Sequence, residues 1–172
     1  MNALTVSTLA LYFAVLIFLA IYGLHRYLML YLYYKHRCRA PRTVGKFATL
    51  PMVTVQLPIF NEMYVVERLI DAVARLDYPR HLLEIQILDD STDETLEIAQ
   101  RKTEDYRNDG LNIHYFHRSD RVGYKAGALA AGMKSAHGDY IAIFDADFVP
   151  KSDFLLKTIH HFVQPSVGMV QA

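Results

Sequence analysis

Apolar residues follow one another without a charge from residue 4 to residue 24, which sets this stretch apart from the rest of the chain. A helix of about 20 apolar residues is long enough to cross the hydrocarbon core of a bilayer, which is about 30 Å thick. The run therefore predicts a transmembrane helix. A secretory signal peptide is the alternative, but no basic residue precedes the run and no small-x-small cleavage site follows it.

Beyond residue 51, short apolar stretches typical of strands alternate with stretches in which apolar residues recur at helical spacing. Pro58 is expected to stop the first strand. Asn61, Ser91 and Ser152 are expected to be helix N-caps, with Ser91 forming a capping box with Glu94. We expect strands at 52–57, 84–88, 112–116 and 140–144, and the start of a fifth strand at 167–171.

This β-α-β order predicts an α/β fold with a mainly parallel sheet and helices on both of its faces. Right-handed crossovers place the carboxyl ends of the strands on the same edge of such a sheet. Ligands of parallel α/β sheets bind at that edge. Polar residues that directly follow a predicted strand are therefore the candidates for a functional site.

Positive and negative charges are separated along the chain. Residues 1–50 contain six basic and no acidic residues and so carry +6, whereas the remainder carries −6. Tyrosines form an aromatic belt at the end of the apolar run and a basic cluster follows, so the positive-inside rule places the remainder in the cytoplasm. The acidic remainder disfavours nucleic acid as a partner. The predicted parts are a transmembrane and interfacial segment (1–34), a basic juxtamembrane linker (35–50) and a soluble domain (51–172).

Two carboxylates two residues apart, Asp145 and Asp147, directly follow the apolar strand predicted at 140–144. Such a pair can hold one Mg²⁺ or Mn²⁺ ion against a diphosphate, because these cations take oxygen ligands and keep substrate phosphates in their shell. Because an Asp-x-Asp sequence also occurs by chance, the functional interpretation depends on the position of this pair directly after a predicted buried strand. It predicts a divalent-cation site for a nucleotide sugar.

Asp90 lies after the second predicted strand, where its carboxylate could accept a hydrogen bond from a pyrimidine N3–H or from the N1–H and N2–H groups of guanine. The alternative is that Asp89 and Asp90 only favour a helix N-terminus through its dipole. Asn61 and Glu62 follow the first strand and either line the same pocket or act as an N-cap and a first-turn acid.

Lys125 follows a flexible glycine, Gly123, at the start of a predicted helix. Backbone amides at a helix start suit an anion, and the lysine ammonium group could pair with a phosphate. An ordinary solvated helix start is the alternative for this segment. Its position among the other candidates favours phosphate binding.

Four segments resemble, in order, the nucleotide-sugar motifs of the membrane-integrated, processive members of glycosyltransferase family 2, the group of cellulose and mannan synthases. The amino-acid sequences of these motifs are most similar to those of the mannan and glucomannan synthase-like branch. The segments are LPIFNE (57–62), LDDSTD (88–93), GYKAGAL (123–129) and IFDADF (143–148).

The resemblance implies the donor-binding half of a GT-A, Rossmann-like domain and a role for each matching residue. Asp90 would contact the base, Asp145 would lie at the ribose and phosphate side, and Asp147 would be the main ligand of Mg²⁺ or Mn²⁺, with Asp145 beside it. The remaining nucleotide-binding residues would be Pro58, Asn61, Glu62 and Lys125.

The resemblance further implies an inverting transfer of a hexose from GDP-mannose or UDP-glucose to a growing β-linked polysaccharide. The enzyme would lie in an inner or plasma membrane, or in the Golgi of a eukaryote, in contact with membrane lipid. The family's general base and its acceptor motif are expected beyond Ala172, so we interpret the chain as an amino-terminal fragment. The alternatives are a polyprenyl-phosphate sugar transferase and a non-catalytic, membrane-anchored nucleotide-binding protein.

Overall fold

The computed structural model describes residues 2–37 and 43–171, which fall into two units divided after residue 42. The first unit is a single helix, α1 (Ala3–His36), whose side chains are exposed around its whole circumference. It is long and apolar enough to cross a membrane by length and composition. A helix is therefore present at the predicted position, and it extends beyond the apolar run through the tyrosine belt. That it crosses a membrane stays a prediction. Residues 38–42 of the predicted basic linker lie outside the described residues.

The second unit is an α/β layer structure built on one parallel sheet, with the strand order β3-β2-β1-β4. The strand positions lie within two residues of those predicted, and the α/β fold class is confirmed. The strands are β1 (Val53–Ile59), β2 (Leu83–Asp89), β3 (Ile113–His117) and β4 (Tyr140–Ile143). The helices are α2 (Val66–Ala74), α3 (Thr95–Asn108), α4 (Tyr124–Met133) and α5 (Phe154–Thr158), with short 3₁₀ turns at Arg80–Leu82 and Ile159–Val163.

The two faces of the central strands are chemically different. The alternate residues Val53, Val55 and Leu57 of β1 lie in the apolar core, together with the buried side of α2. On the other face, beneath α4, most of the buried side chains are polar: Thr54, Gln56, Glu84 and Gln86. The Gln56 amide donates to the Gln86 carbonyl oxygen at 3.0 Å. Most polar groups of this face are paired internally, whereas the Gln56 Oε1 atom has no hydrogen-bond partner among the described residues.

Pro58 does not end the first strand, contrary to the prediction, because β1 continues to Ile59. The Ile59 carbonyl oxygen accepts from the Asp90 N–H at 3.0 Å, so the backbone groups of Ile59 face β2. Those of Pro58 therefore face β4, where the pairing with β1 ends at Gln56. The missing N–H of proline costs no ladder hydrogen bond at this position.

Asn61 is not a helix N-cap, because α2 begins only at Val66. Asn61 has a left-handed backbone with a φ of 53°. Its N–H donates to the Ser91 hydroxyl at 2.8 Å, and its side-chain oxygen accepts from the Thr92 N–H at 2.9 Å. Asparagine tolerates this conformation better than most residues. Asn61 thus ties the loop after β1 to the loop after β2.

Three further predictions about local structure are wrong. Helix α3 begins at Thr95 without a capping bond from Ser91, whose hydroxyl accepts the hydrogen bond just described. Helix α5 begins at Phe154, with Asp153 rather than Ser152 at the N-cap position. No strand forms at 167–171, because this segment has no sheet partner among the residues that the structure describes.

Candidate functional site

A cavity of about 370 Å³ lies at the carboxyl ends of the strands. It is lined by residues at the ends of three strands, β1, β2 and β4, and by the start of α4. Asn61 is the one predicted site residue that does not line it. The structure brings the other six together there: Pro58, Glu62, Asp90, Lys125, Asp145 and Asp147.

The acidic pair at the end of β2 is buried. The Asp89 carboxylate accepts from the Ser91 N–H at 2.8 Å and from the Tyr115 hydroxyl at 2.7 Å. Burial of the phenol and its hydrogen bond to Asp89 raise the pKa of Tyr115. Asp89 is completely buried and does not line the cavity, so its role is structural.

Asp90 has a different partner, the guanidinium group of Arg118 at the end of β3. Arg118 Nε donates to Asp90 Oδ1 at 2.8 Å, and Nη2 donates to Oδ2 at 2.6 Å. The Asp90 side chain is 4% exposed, and the Arg118 side chain is 19% exposed. Two parallel charge-assisted hydrogen bonds of this kind fix the plane of a carboxylate as well as its position.

Arg118 also holds the loop that leads into α4. Its Nη1 donates to the Val122 carbonyl oxygen and its Nη2 to that of Tyr124, both at 3.2 Å. Within this loop Arg121, Gly123 and Tyr124 have positive φ angles of 42°, 74° and 50°. Such angles are costly for arginine and tyrosine. The hydrogen bonds from Arg118 help to stabilise this conformation, which positions Lys125 at the cavity.

Arg121 lines the cavity without a partner for its buried Nε among the described residues. Its guanidinium carbon lies 3.2 Å from the centroid of the Phe60 ring, which also lines the cavity. The ring stacking fits a guanidinium group, which is planar and only weakly hydrated. Arg121 therefore adds a second cation to the cavity beside Lys125.

The acidic pair at the end of β4 is exposed. Lys125 forms an ion pair with Asp145, and the two side chains are 52% and 57% exposed. Asp147 is also exposed, and the buried Ala146 separates the two carboxylates. In contrast to the pair after β2, these oxygens are open to a ligand from solvent.

The donor set at this edge fits a hard divalent cation bound jointly with a substrate. Within residues 2–37 and 43–171, no group of three or more His, Cys, Asp or Glu side chains is arranged to hold a metal ion by itself. Asp145 and Asp147 supply two carboxylates on the cavity wall. Mg²⁺ and similar ions are commonly held by one or two carboxylates, with substrate phosphates and water completing the shell.

Sequence reasoning did not assign a role to Arg118 or Arg121. Arg118 directly follows the third strand, so the same rule that selected Asp90 and Asp145 would have selected it. Arg121 lies two residues before Gly123 in the segment that was singled out for its glycine and lysine. Its contact with Phe60 joins residues 61 positions apart, so the local sequence carries no signal for it.

A parallel α/β sheet with a cavity at the carboxyl ends of its strands is typical of α/β proteins that bind a ligand at that edge. The chain belongs to glycosyltransferase family 2, whose family model, described as "Glycosyl transferase family 2", matches residues 54–172. The resemblance drawn from the four motifs is thereby confirmed.

Two curated plant proteins show the similarity in sequence. The chain is 46% identical over 129 residues to the probable glucomannan 4-beta-mannosyltransferase 4 of Oryza sativa subsp. japonica, covering 72% of this chain and 24% of the rice protein. It is 44% identical over 127 residues to the glucomannan 4-beta-mannosyltransferase 9 of Arabidopsis thaliana, covering 71% and 24%. The chain thus spans about a quarter of the length of these relatives.

A solved structure shows the similarity in fold. It is a mannosyltransferase from Pyrobaculum calidifontis in complex with GDP-Man and Mn²⁺, with a TM-score of 0.72 and 30% sequence identity. The match covers 87% of this chain and 44% of the archaeal one.

Proposed function

We propose that the protein transfers a hexose from a nucleotide sugar to a growing β-linked polysaccharide, and that this chain supplies the donor and metal site. The observation that carries the proposal is the convergence of six predicted residues on one cavity at the strand ends. GDP-mannose is the favoured donor over UDP-glucose, because the plant relatives are named glucomannan mannosyltransferases and the archaeal one holds GDP-Man.

The proposed roles follow the chemistry of each side chain in the cavity. Asp90 accepts from the nucleobase, and Glu62 and Pro58 line the nucleoside side. Lys125 contributes a cation for the diphosphate, exchanging its present partner Asp145 for a phosphate oxygen. Asn61 acts indirectly, because it holds the loops after β1 and β2 together instead of lining the cavity.

Asp147 and Asp145 would hold the divalent cation, Mg²⁺ or Mn²⁺. The presence of Mn²⁺ in the archaeal complex supports this assignment. When bound, the cation supplies charge neutralisation of the diphosphate leaving group. Asp147 is proposed as the main ligand, as the family resemblance implies, and Asp145 joins it once Lys125 has moved to the phosphate.

The proposed transfer is inverting. An acceptor hydroxyl forms a bond to the anomeric carbon as the bond from that carbon to the diphosphate breaks, and the hydroxyl proton passes to a general base. Such a base typically contributes about 10²- to 10⁴-fold to the rate. The family resemblance implies that the whole protein supplies this base, and the binding site for the polysaccharide end, outside this chain.

The reaction is proposed to occur at the cytoplasmic face of a membrane. Support comes from α1, which has the length and composition of a spanning helix, and from the basic residues that follow it. A reporter fused after Ala172 is expected to be active in the cytoplasm. Activity only on the opposite side of the membrane would contradict this placement.

The donor site is tested by calorimetric titration of GDP and UDP into the detergent-solubilised chain, with and without Mn²⁺. Asp147→Asn is expected to remove most of the strengthening by Mn²⁺, because the bound cation loses a carboxylate ligand. Asp145→Asn is expected to have a smaller effect.

Asp153→Asn is the matched control, because Asp153, like Asp145, is a partly exposed aspartate paired with a lysine, in this case Lys157, but does not line the cavity. It should bind both nucleotides as the unmodified chain does. Nucleotide and Mn²⁺ binding that is unchanged in both Asp147→Asn and Asp90→Asn would refute the donor-site assignment.

A further inference from the structure

The ion pair between Arg118 and Asp90 limits what Asp90 can offer to a ligand. Each carboxylate oxygen of Asp90 accepts one N–H of the same guanidinium group, at 2.8 and 2.6 Å. We propose that Arg118 is a positioning residue that restricts Asp90 to a single N–H of the nucleobase and thereby sets the base selectivity of the site. This inference rests on the proposed function, in which Asp90 faces the base.

The restriction follows from the geometry of a carboxylate. Its two oxygens have about four lone-pair sites. Each oxygen has one lone pair that points away from the carboxylate carbon, parallel to the matching lone pair of the other oxygen. A guanidinium group that binds through two parallel N–H bonds occupies both of these lone pairs. The two sites that remain point outward and away from each other. They can accept one N–H each from separate directions, but not two parallel N–H groups from one base.

Guanine presents such a parallel pair, N1–H and the 2-amino group, whereas uracil presents only N3–H. With Arg118 in place, Asp90 therefore accepts the same single hydrogen bond from guanine as from hypoxanthine, which lacks the 2-amino group. If the donor carries guanine, its 2-amino group is not recognised by Asp90.

Arg118 is held in this position from a second side. Its guanidinium group also donates to the carbonyl oxygens of Val122 and Tyr124, so four of its N–H groups have partners in the fold. These carbonyls belong to the loop with left-handed residues that precedes Lys125. Releasing Asp90 for a two-point contact with guanine would therefore also release the loop on the phosphate side of the cavity.

The first test compares GDP with inosine 5′-diphosphate, using calorimetric dissociation constants for the complete chain with Mn²⁺. Asp90→Asn is expected to weaken both nucleotides by the same factor, roughly 10- to 100-fold for a lost hydrogen bond to a charged group. The ratio of the two constants should stay within about twofold of that of the unmodified chain. A tenfold preference for GDP that collapses in Asp90→Asn would overturn the inference, because Asp90 would then bind both N–H groups.

The second test replaces the bidentate guanidinium group of Arg118 by an ammonium group, which keeps the positive charge. In Arg118→Lys the two parallel lone pairs of Asp90 become free, so the preference for GDP over inosine 5′-diphosphate is expected to increase on the order of tenfold. A purely structural role of Arg118 would weaken both nucleotides and leave their ratio unchanged, which would overturn the positioning role. If the unmodified chain binds UDP but not GDP, Arg118→Lys is expected to bind GDP as well. Failure of Arg118→Lys to bind GDP would likewise overturn the positioning role.

Arg80→Lys is the matched control, because Arg80 donates to a carbonyl oxygen, that of Asp109, outside the cavity. It should change neither the affinities nor their ratio. Failure of the inference is distinct from failure of the proposed function. If only the inference fails, the ratios of the GDP and inosine 5′-diphosphate constants contradict the expectation, but Asp147→Asn still removes most of the Mn²⁺ effect. If the proposed function fails, Asp147→Asn and Asp90→Asn both leave nucleotide binding unchanged.

Discussion

Asp89 ends β2 and Asp90 follows it, and Asp145 and Asp147 follow β4, at the same edge of one sheet. The first pair is buried, with both oxygens of Asp89 and both oxygens of Asp90 hydrogen-bonded to protein groups. The second pair is exposed, and its protein partner is a lysine that is itself half exposed. Two acidic motifs at equivalent places in the fold thus have different uses.

The difference follows from the cost of burying a charge. A buried carboxylate is tolerated only when hydrogen bonds replace its lost hydration, so the fold must supply partners at β2. An exposed carboxylate keeps its water until a ligand displaces it. The β2 pair therefore belongs mainly to the architecture, with the outer lone pairs of Asp90 left for a ligand, whereas the β4 pair is available as a whole for a metal and a diphosphate.

Asp89→Ala tests the structural side of this comparison and should give the largest change in the free energy of unfolding. It removes the acceptor of two hydrogen bonds, those from Ser91 and Tyr115. Because hydrogen bonds to a charged group contribute about 1.5 to 3 kcal/mol, we expect a loss of about 3 kcal/mol. Urea unfolding of the detergent-solubilised chain, followed by circular dichroism, measures it. Asp145→Ala is the control, and an equal loss there would mean that the two pairs do not differ.

Tyr115 sharpens the comparison through pH. Burial, together with the hydrogen bond to Asp89, raises the pKa of Tyr115 above its usual value of 10.0. In the unfolded chain the phenol loses its proton first, so its stabilising contribution is fully present below pH 10 and is lost as the pH rises through the raised folded-state pKa. The loss is at most about 1.4 kcal/mol at pH 11.

Unfolding measured between pH 8 and 11 should therefore show a smaller alkaline decline for Tyr115→Phe than for the unmodified chain. Tyr78→Phe provides a comparison, because burial, and secondly the nearby charge of Asp139, raise the pKa of Tyr78 to about 12. Each variant should remove its own part of the decline. An alkaline decline that is the same in Tyr115→Phe as in the unmodified chain would show that the Tyr115 proton is not held by Asp89.

Much of the fold could be predicted from the sequence because its signals are local. The apolar runs of β1 to β4 and the apolar side of α2 are short patterns that one stretch of chain contains completely. The edge rule for parallel sheets then selected Asp90, Asp145 and Asp147 for the same cavity. The rule works because it needs only the end of each strand and not the order of the strands.

The remaining features depend on which strands are neighbours. Arg118 reaches Asp90 across 28 residues only because β3 lies beside β2. Ser91 could not cap α3 because its hydroxyl binds the backbone of Asn61, 30 residues away. Pro58 remains in a strand because the pairing of β4 with β1 ends two residues earlier. Each of these contacts is non-local, so local propensity favoured a different partner.

The ion pair of Lys125 and Asp145 should give the smallest change in stability and tests the exposed side of the comparison. Exposed pairs of this kind contribute about 0.2 to 1 kcal/mol and are weakened by salt. Lys125→Met is therefore expected to change the free energy of unfolding by at most about 1 kcal/mol. Lys157→Met is the matched control, since Lys157 forms a similarly exposed pair with Asp153 away from the cavity.

The two lysine variants should differ only in binding. Lys125→Met is expected to weaken GDP more than guanosine, which has no phosphate, whereas Lys157→Met should affect neither. A loss of stability in Lys125→Met as large as that in Asp89→Ala would show that the β4 pair, like the β2 pair, serves mainly to hold the fold together. Equal weakening of GDP and guanosine would place Lys125 at the nucleoside instead of the diphosphate.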